Sequence, residues 1–291
     1  MNAPRVAIVG IENSHATEIV HYLNVLRPSH VPVRVTALVA GEPERTAELA
    51  RLGGIETVVE DVAELRGRVD ALIVTSRDGA LHRDLAVPFL EAGVPVWVDK
   101  PLAAGVADAD EIIAAAERGG APLTSSSALR WVADTQDLAR DLGSVGELQT
   151  LTLTGPADPD SEYSGIFFYG IHIADAAQRL LPGDPEGIDV CRTPHAVVAR
   201  YRVADTLVAL EFVRPDEDGR VPFRATAVGR HGVLSREIRL GEDYVQPGVD
   251  AFAKMLATGA PPIPAAQMRA PIRLLETVAQ ELGASARVPA H

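Results

Sequence analysis

Three short stretches carry the residue types that could do chemistry. In the first, Asp99-Lys100-Pro101 closes the apolar run Val94-Pro-Val-Trp-Val98. A carboxylate and a lysine at the end of a buried strand form a charge pair where open α/β sheets bind their ligands. Pro101 fixes its own φ and restricts Lys100 to extended backbone, so the lysine is aimed. In the second, His172 and Asp175 lie three residues apart within Gly170-Ile-His-Ile-Ala-Asp175. On a helix they share one face, and an aspartate beside an imidazole can fix its tautomer and raise its basicity. The third is Gly10-Ile11-Glu12-Asn13-Ser14-His15, directly after the run Val6-Ala-Ile-Val9. Each stretch also has a plain structural reading: a solvated strand-end pair, a core histidine beside a helix acid, and an ordinary strand-to-helix turn.

The elements that must position these residues alternate. Val6–Val9, Val33–Val39, Glu56–Val59, Val69–Val74, Val94–Val98 and Pro122–Ser126 read as strands. Between them, helical spacing covers Ala16 to Leu26, Pro43 to Leu52, Ala80 to Glu91 and a helix started by Asp108 with Glu111, a capping-box pattern ended at Gly119-Gly120. Such alternation predicts βαβ units, right-handed crossovers and a doubly wound parallel sheet. Thr75 and Ser76 then fall at the end of the fourth strand. After a helix opened by Arg130-Trp131 the pattern changes. Glu147–Thr154, Ala196–Val203, Thr206–Val213, Phe223–Val228 and Gly232–Leu240 read as successive strands, with closing helices at Val249–Leu256 and Met268–Leu282. The expected division is a dinucleotide-binding Rossmann-like domain over 1–125 and an α+β domain with a mostly antiparallel sheet over 126–291. The final helix is free to pack back on the first domain.

The third stretch sits where a G-x-G-x-x-G dinucleotide fingerprint belongs. Only its first glycine, Gly10, is present, and Glu12 stands in place of the second. A carboxylate facing phosphate would repel it unless the side chain turns away. An acid that binds the adenosine ribose is expected at the end of the second strand. The chain reads Leu38-Val39-Ala40-Gly41-Glu42, with Glu42 two places late and no arginine beside it for a 2′-phosphate. NAD and NADP both stay open.

Composition excludes several classes. A net charge of −13 argues against nucleic acid and anionic membranes as general partners. The single cysteine, Cys191, rules out an intrachain disulfide and a cysteine-based zinc site, and fits a reducing cytoplasm. The opening apolar run is too short for a signal segment, and no run reaches the ~18 residues of a membrane span. The scattered histidines have no metal-ligand spacing, and no G-x-S-x-G elbow is present.

Taken in order, the glycine turn, the Asp99-Lys100-Pro101 strand end and Gly170-Ile-His172-Ile-Ala-Asp175 resemble the glucose-fructose oxidoreductase/inositol dehydrogenase (Gfo/Idh/MocA) family. Val69–Lys100, with His82 at the matching histidine, Gly143-Ser-Val-Gly146-Glu147 and the Met268–Val288 tail are similar too. The resemblance implies an NAD(P)-dependent oxidoreductase on a sugar, cyclitol or related polyol, assembled as a cytoplasmic homodimer or homotetramer. It implies Lys100, His172 and Asp175 as catalytic residues, with His172 the acid/base and Asp175 its orienter. Gly10, Glu12, Asn13, Ser14, Thr75, Ser76, Asp99 and Lys100 would hold NAD or NADP. Arg130, Trp131, Tyr169 and His172 would line the substrate pocket, and no metal is expected. Where some members carry a further aspartate, four residues before the histidine, this chain has Phe168. Two alternatives accompany this reading. One is a cofactor-retaining member with no net redox change, such as a glycosidase. The other is a non-catalytic binding protein on a degenerate Rossmann scaffold.

Overall fold

The computed structural model describes residues 3–215 and 220–285, so the end of the Met268–Val288 tail lies outside the described residues. The chain divides into two compact units. The first comprises the chain up to Ala103, Ala107–Ser126 and Val245–Pro264; the second holds Ala104–Val106, Ser127–Tyr244 and the chain from Ala265 on.

The first unit is built on strands β1 (Arg5–Val9), β2 (Arg34–Val39), β3 (Thr57–Val59), β4 (Ala71–Val74), β5 (Val96–Val98) and β6 (Leu123–Thr124). They pair in parallel in the order β3-β2-β1-β4-β5-β6. The central strands β1, β4 and β5 are buried on both faces, which is why they read as unbroken apolar runs. Helices α1 (Ser14–Val20), α2 (Pro43–Gly53), α3 (His82–Glu91) and α4 (Val106–Gly119) make the crossovers. Strand order reverses between β1 and β4, the switch point beyond which such sheets bind ligands.

Two helices differ from the sequence expectation. The apolar spacing from Ala16 to Leu26 is α-helical only to Val20; His21–Leu26 widens into a π turn. That turn holds Asn24, whose buried amide bonds Val35 N and O and Gly53 O at 2.7–2.9 Å. Helix α4 starts at Val106, two residues before the expected cap Asp108. The Val106 N–H donates at 2.9 Å to the Glu276 carboxylate, an acceptor 170 residues away that local pattern cannot reveal.

In the second unit a 3₁₀ turn, Ala128–Arg130, leads to α5 (Ala133–Asp141), so Arg130-Trp131 precedes the helix it was expected to open. The sheet is β12-β11-β7-β10-β9-β8, made of β7 (Leu148–Pro156), β8 (Glu186–Arg192), β9 (Ala196–Val203), β10 (Thr206–Val213), β11 (Phe223–Gly229) and β12 (Gly232–Ile238). All pairs are antiparallel except β7 with β10. Strand β8 had no counterpart in the sequence reading. It is an edge strand with no buried residue, so it lacks the apolar alternation that marks the others. Helix α6 (Phe167–Leu180) is buried along most of its length. Helix α7 (Gln246–Thr258) belongs to the first unit and α8 (Ala265–Ser285) to the second.

Candidate active site

Each unit carries a cluster of buried polar residues among the sequence-predicted site positions. In the first unit the cluster lies at the carboxyl ends of β1, β4 and β5. Gly10 has φ +83°, and a Cβ added there would stand 2.2 Å from Ser76 N. Only glycine allows β1 to turn that close to the end of β4. Thr75 ties the same two ends together, its hydroxyl donating to Gly10 O at 2.7 Å and to Val9 O at 3.2 Å. Asn13 caps α1 by accepting from Ala16 N, and its amide donates to Thr75 O. Ser14 is exposed in the first turn of that helix. The Ser76 hydroxyl is buried with no hydrogen-bond partner among the described residues, an open donor at the switch point.

The turn lacks two fingerprint glycines and is braced by arginines instead. Arg45, from the first turn of α2, donates to Ile11 O at 3.0 Å, to Asn13 O at 3.1 Å and to the Thr17 hydroxyl. Arg77 donates to Glu12 O at 2.8 Å. These anchors hold the carbonyls in one conformation without the freedom glycine would provide.

Asp99 is buried and meets the His15 ring, Nδ1 to Oδ2, at 2.7 Å. Burial alone would push the Asp99 carboxyl up, but the His15 and Lys100 charges outweigh it and hold the carboxyl below its usual range. The Lys100 pKa lies below that of a free lysine. Burial lowers its pKa and the charge of Arg77 adds to this, against the pull of Asp99. The Lys100–Pro101 peptide is cis. Fully buried His82 reaches Pro101 O at 2.7 Å and Ser76 O at 3.0 Å, joining the loops after β4 and β5. Its pKa is lowered by burial, partly offset by those carbonyls.

In the second unit His172 and Asp175 project from α6, and both are buried. They do not pair as the sequence reading expected. The partner of His172 Nδ1 is the Ser127 hydroxyl at 2.7 Å. Asp175 accepts the Ser127 N–H on Oδ2 at 2.9 Å, and on Oδ1 it accepts Arg130 Nε and NH2 at 3.0 and 2.8 Å. The aspartate therefore positions the serine, and the serine positions the histidine. Leu129 N also donates to Ser127 Oγ at 3.0 Å, which fixes the hydroxyl in the 3₁₀ turn.

Arg130, expected in a substrate pocket, is 3% exposed and has its guanidinium committed to Asp175 and Gln267. Removing its counter-charge would strand that guanidinium. Asp175→Ala is expected to lower unfolding stability by about 3–5 kcal/mol. Urea denaturation measures it, and a loss below about 1 kcal/mol would show that the pair is not needed to keep Arg130 inside. Trp131 is half-buried, and Tyr169 is exposed with its ring 5.4 Å from that of His172. The Phe168 ring packs between Tyr163 and Tyr169, so an apolar stack stands where a further aspartate would be.

Ser127 was missed by sequence reasoning. A signal was present, because Ser125-Ser126-Ser127 follows β6 directly, at the carboxyl end of a parallel strand.

Residues 4–126 match the family described as the oxidoreductase family with an NAD-binding Rossmann fold, Gfo/Idh/MocA. Over those residues the chain is similar to the Gfo/Idh/MocA family. Among its relatives are a myo-inositol dehydrogenase of Streptomyces leeuwenhoekii, 35% identical over 151 residues, 51% of this chain and 44% of that protein. Inositol 2-dehydrogenase 1 of Saccharopolyspora erythraea is 31% identical over 195 residues, 61% of this chain and 56% of that protein. The matches thus span about half the length of these curated relatives. The fold likeness extends over nearly the whole chain. It covers 97% of this chain and 98% of myo-inositol 2-dehydrogenase from Lactobacillus plantarum, with TM-score 0.81 and 14% identity. For GenD2 from gentamicin A biosynthesis, solved with NAD, the figures are 100% and 97%, TM-score 0.83 and 17% identity.

Proposed function

We propose that this chain is a Gfo/Idh/MocA-type, NAD(P)-dependent dehydrogenase acting on a secondary hydroxyl of a cyclitol, sugar or related polyol. Residues 1–125 would hold the dinucleotide and 126–291 the substrate. The observation that carries the reading is the Ser127–His172 contact at 2.7 Å. Ser127 Oγ has two lone pairs. One accepts Leu129 N–H, and the other is available to His172 Nδ1–H. With the proton on Nδ1, Nε2 keeps its lone pair and can take a hydroxyl proton as general base, a role worth roughly 10²–10⁴ in rate.

The first unit fits a dinucleotide. The tight Gly10 turn, the unpartnered Ser76 hydroxyl and the switch point between β1 and β4 are the features such a ligand uses. When bound, the nicotinamide ring supplies hydride acceptance and donation. Gly10, Asn13, Ser14, Thr75, Ser76 and Asp99 would position it. As the hydroxyl loses its proton, Lys100 would stabilise the developing alkoxide. Tyr169, exposed beside His172, and Trp131 would contact the polyol; Arg130 would act only through Asp175. The reading extends to a homo-oligomer in the reducing cytoplasm. Leu207 and Val233, both exposed on the second sheet, are the residues an interface would cover.

The test is thermal shift with NAD(H) and NADP(H), followed by a polyol panel read at the nicotinamide absorbance. Ligand at 100 times Kd should raise stability by about 2.7 kcal/mol. No shift with any of the four forms would end the dehydrogenase reading in favour of a non-catalytic scaffold. Binding with turnover but no net absorbance change would favour the non-redox alternative.

A further inference from the structure

The Glu12 side chain does not lie where the fingerprint would place it. A Cβ added at Gly41 would stand 2.9 Å from Glu12 Oε1, so this carboxylate lies across the backbone two residues beyond the end of β2. That is where Rossmann domains keep the acid that binds the adenosine ribose. The chain's own candidate for that acid is used otherwise. Glu42 caps α2, its two oxygens accepting Glu44 N–H at 3.1 Å and Arg45 N–H at 2.8 Å. The two nearest arginines are engaged as well. Arg45 spends its Nε and NH2 groups on the turn and pairs NH1 with Glu48, and Arg77 holds Glu12 O. Among the described residues no cation forms an ion pair with the Glu12 carboxylate, which is exposed. Gly41, with no side chain, leaves the slot that the carboxylate fills.

We propose that Glu12 is the cofactor-specificity residue: it reaches from the first turn to the end of β2, binds the adenosine ribose hydroxyls, and selects NAD over NADP. The inference rests on the dehydrogenase reading above. A carboxylate accepts hydrogen bonds from two vicinal hydroxyls, and the same charge repels a 2′-phosphate. The substitution that looked like a damaged fingerprint thus supplies the acid missing from Ala40-Gly41.

Calorimetric titration of the full chain with NAD⁺ and NADP⁺ tests this. The wild type should bind NAD⁺ at least about tenfold more tightly than NADP⁺. Glu12→Gln, on an exposed side chain, should weaken NAD⁺ by about tenfold and bring the two cofactors within about threefold. Gly41→Ala, which places a methyl against the carboxylate at a position without positive φ, should lower NAD⁺ affinity in the same direction. An unchanged NAD⁺/NADP⁺ ratio in Glu12→Gln would overturn the assignment while leaving the dehydrogenase reading intact. So would tighter NAD⁺ binding in that variant, because the carboxylate would then be facing phosphate. If the wild type binds neither dinucleotide, the function itself fails and the assignment fails with it.

Discussion

Lys100→Ala should abolish turnover almost completely while the protein remains folded. The expected loss is about 10³-fold in kcat, on the scale of removing one electrostatic donor from an oxyanion site. The fold should survive because the ammonium opposes folding. Burial lowers the folded-state pKa of Lys100, so its charged form is less favourable in the native state than in the unfolded chain. That penalty is fully present below the folded pKa. It disappears as pH rises from that value to the ordinary lysine range, so removing the amine at neutral pH should leave stability unchanged or raise it. The same shift predicts a pH profile. If the charged form stabilises an alkoxide, wild-type kcat/KM falls on an alkaline limb set below the ordinary lysine range, and that limb is missing from Lys100→Ala. A variant with unchanged kcat would remove Lys100 from the catalytic set. Lower kcat accompanied by a lower melting temperature would make it a structural residue.

The parts of this molecule that could be read from sequence are those set by local rules. Strands β1 and β4 are short apolar runs because both faces of a parallel sheet are covered, and Gly10 and Asn13 mark the turn between β1 and α1. Asp99-Lys100-Pro101 at the end of β5 follows from the same pattern. Strand β8 could not be read, because an exposed edge imposes no apolar alternation. In the candidate site the sequence offered residue types but not their wiring. Helical spacing predicted that His172 and Asp175 share a helix, as they do on α6, and suggested that they pair. Their actual partners, Ser127 and Arg130, lie 45 residues earlier in a turn that helical geometry says nothing about. Asp99 offers a parallel case, with its partner His15 lying 84 residues away. The direction of Glu12 depends on the missing side chain of Gly41, a relation between two loops that neither loop shows alone.

His172→Asn should separate the chemistry of this histidine from its packing. Asparagine is of similar size and can place an amide near the Ser127 hydroxyl, so the contact now made by Nδ1 has a substitute. It cannot take a proton near neutral pH. The expected result is a kcat lower by about 10²–10⁴, with the acid limb of the kcat/KM profile removed. That limb exists in the wild type because protonating Nε2 removes the base. Stability should fall by no more than about 1–2 kcal/mol, since the imidazole also packs against Phe223 with ring centroids 5.6 Å apart. A companion variant, Ser127→Ala, keeps the imidazole but removes its Nδ1 partner. It should lower kcat less than His172→Asn does and retain the acid limb, displaced in pH, because the base is still present but no longer held in one tautomer. Should His172→Asn lose melting temperature and keep both kcat and the acid limb, the histidine would be a packed core residue and the general base would have to be sought elsewhere. Loss of the limb together with loss of kcat, in a protein that unfolds near the wild-type temperature, places the proton transfer on His172.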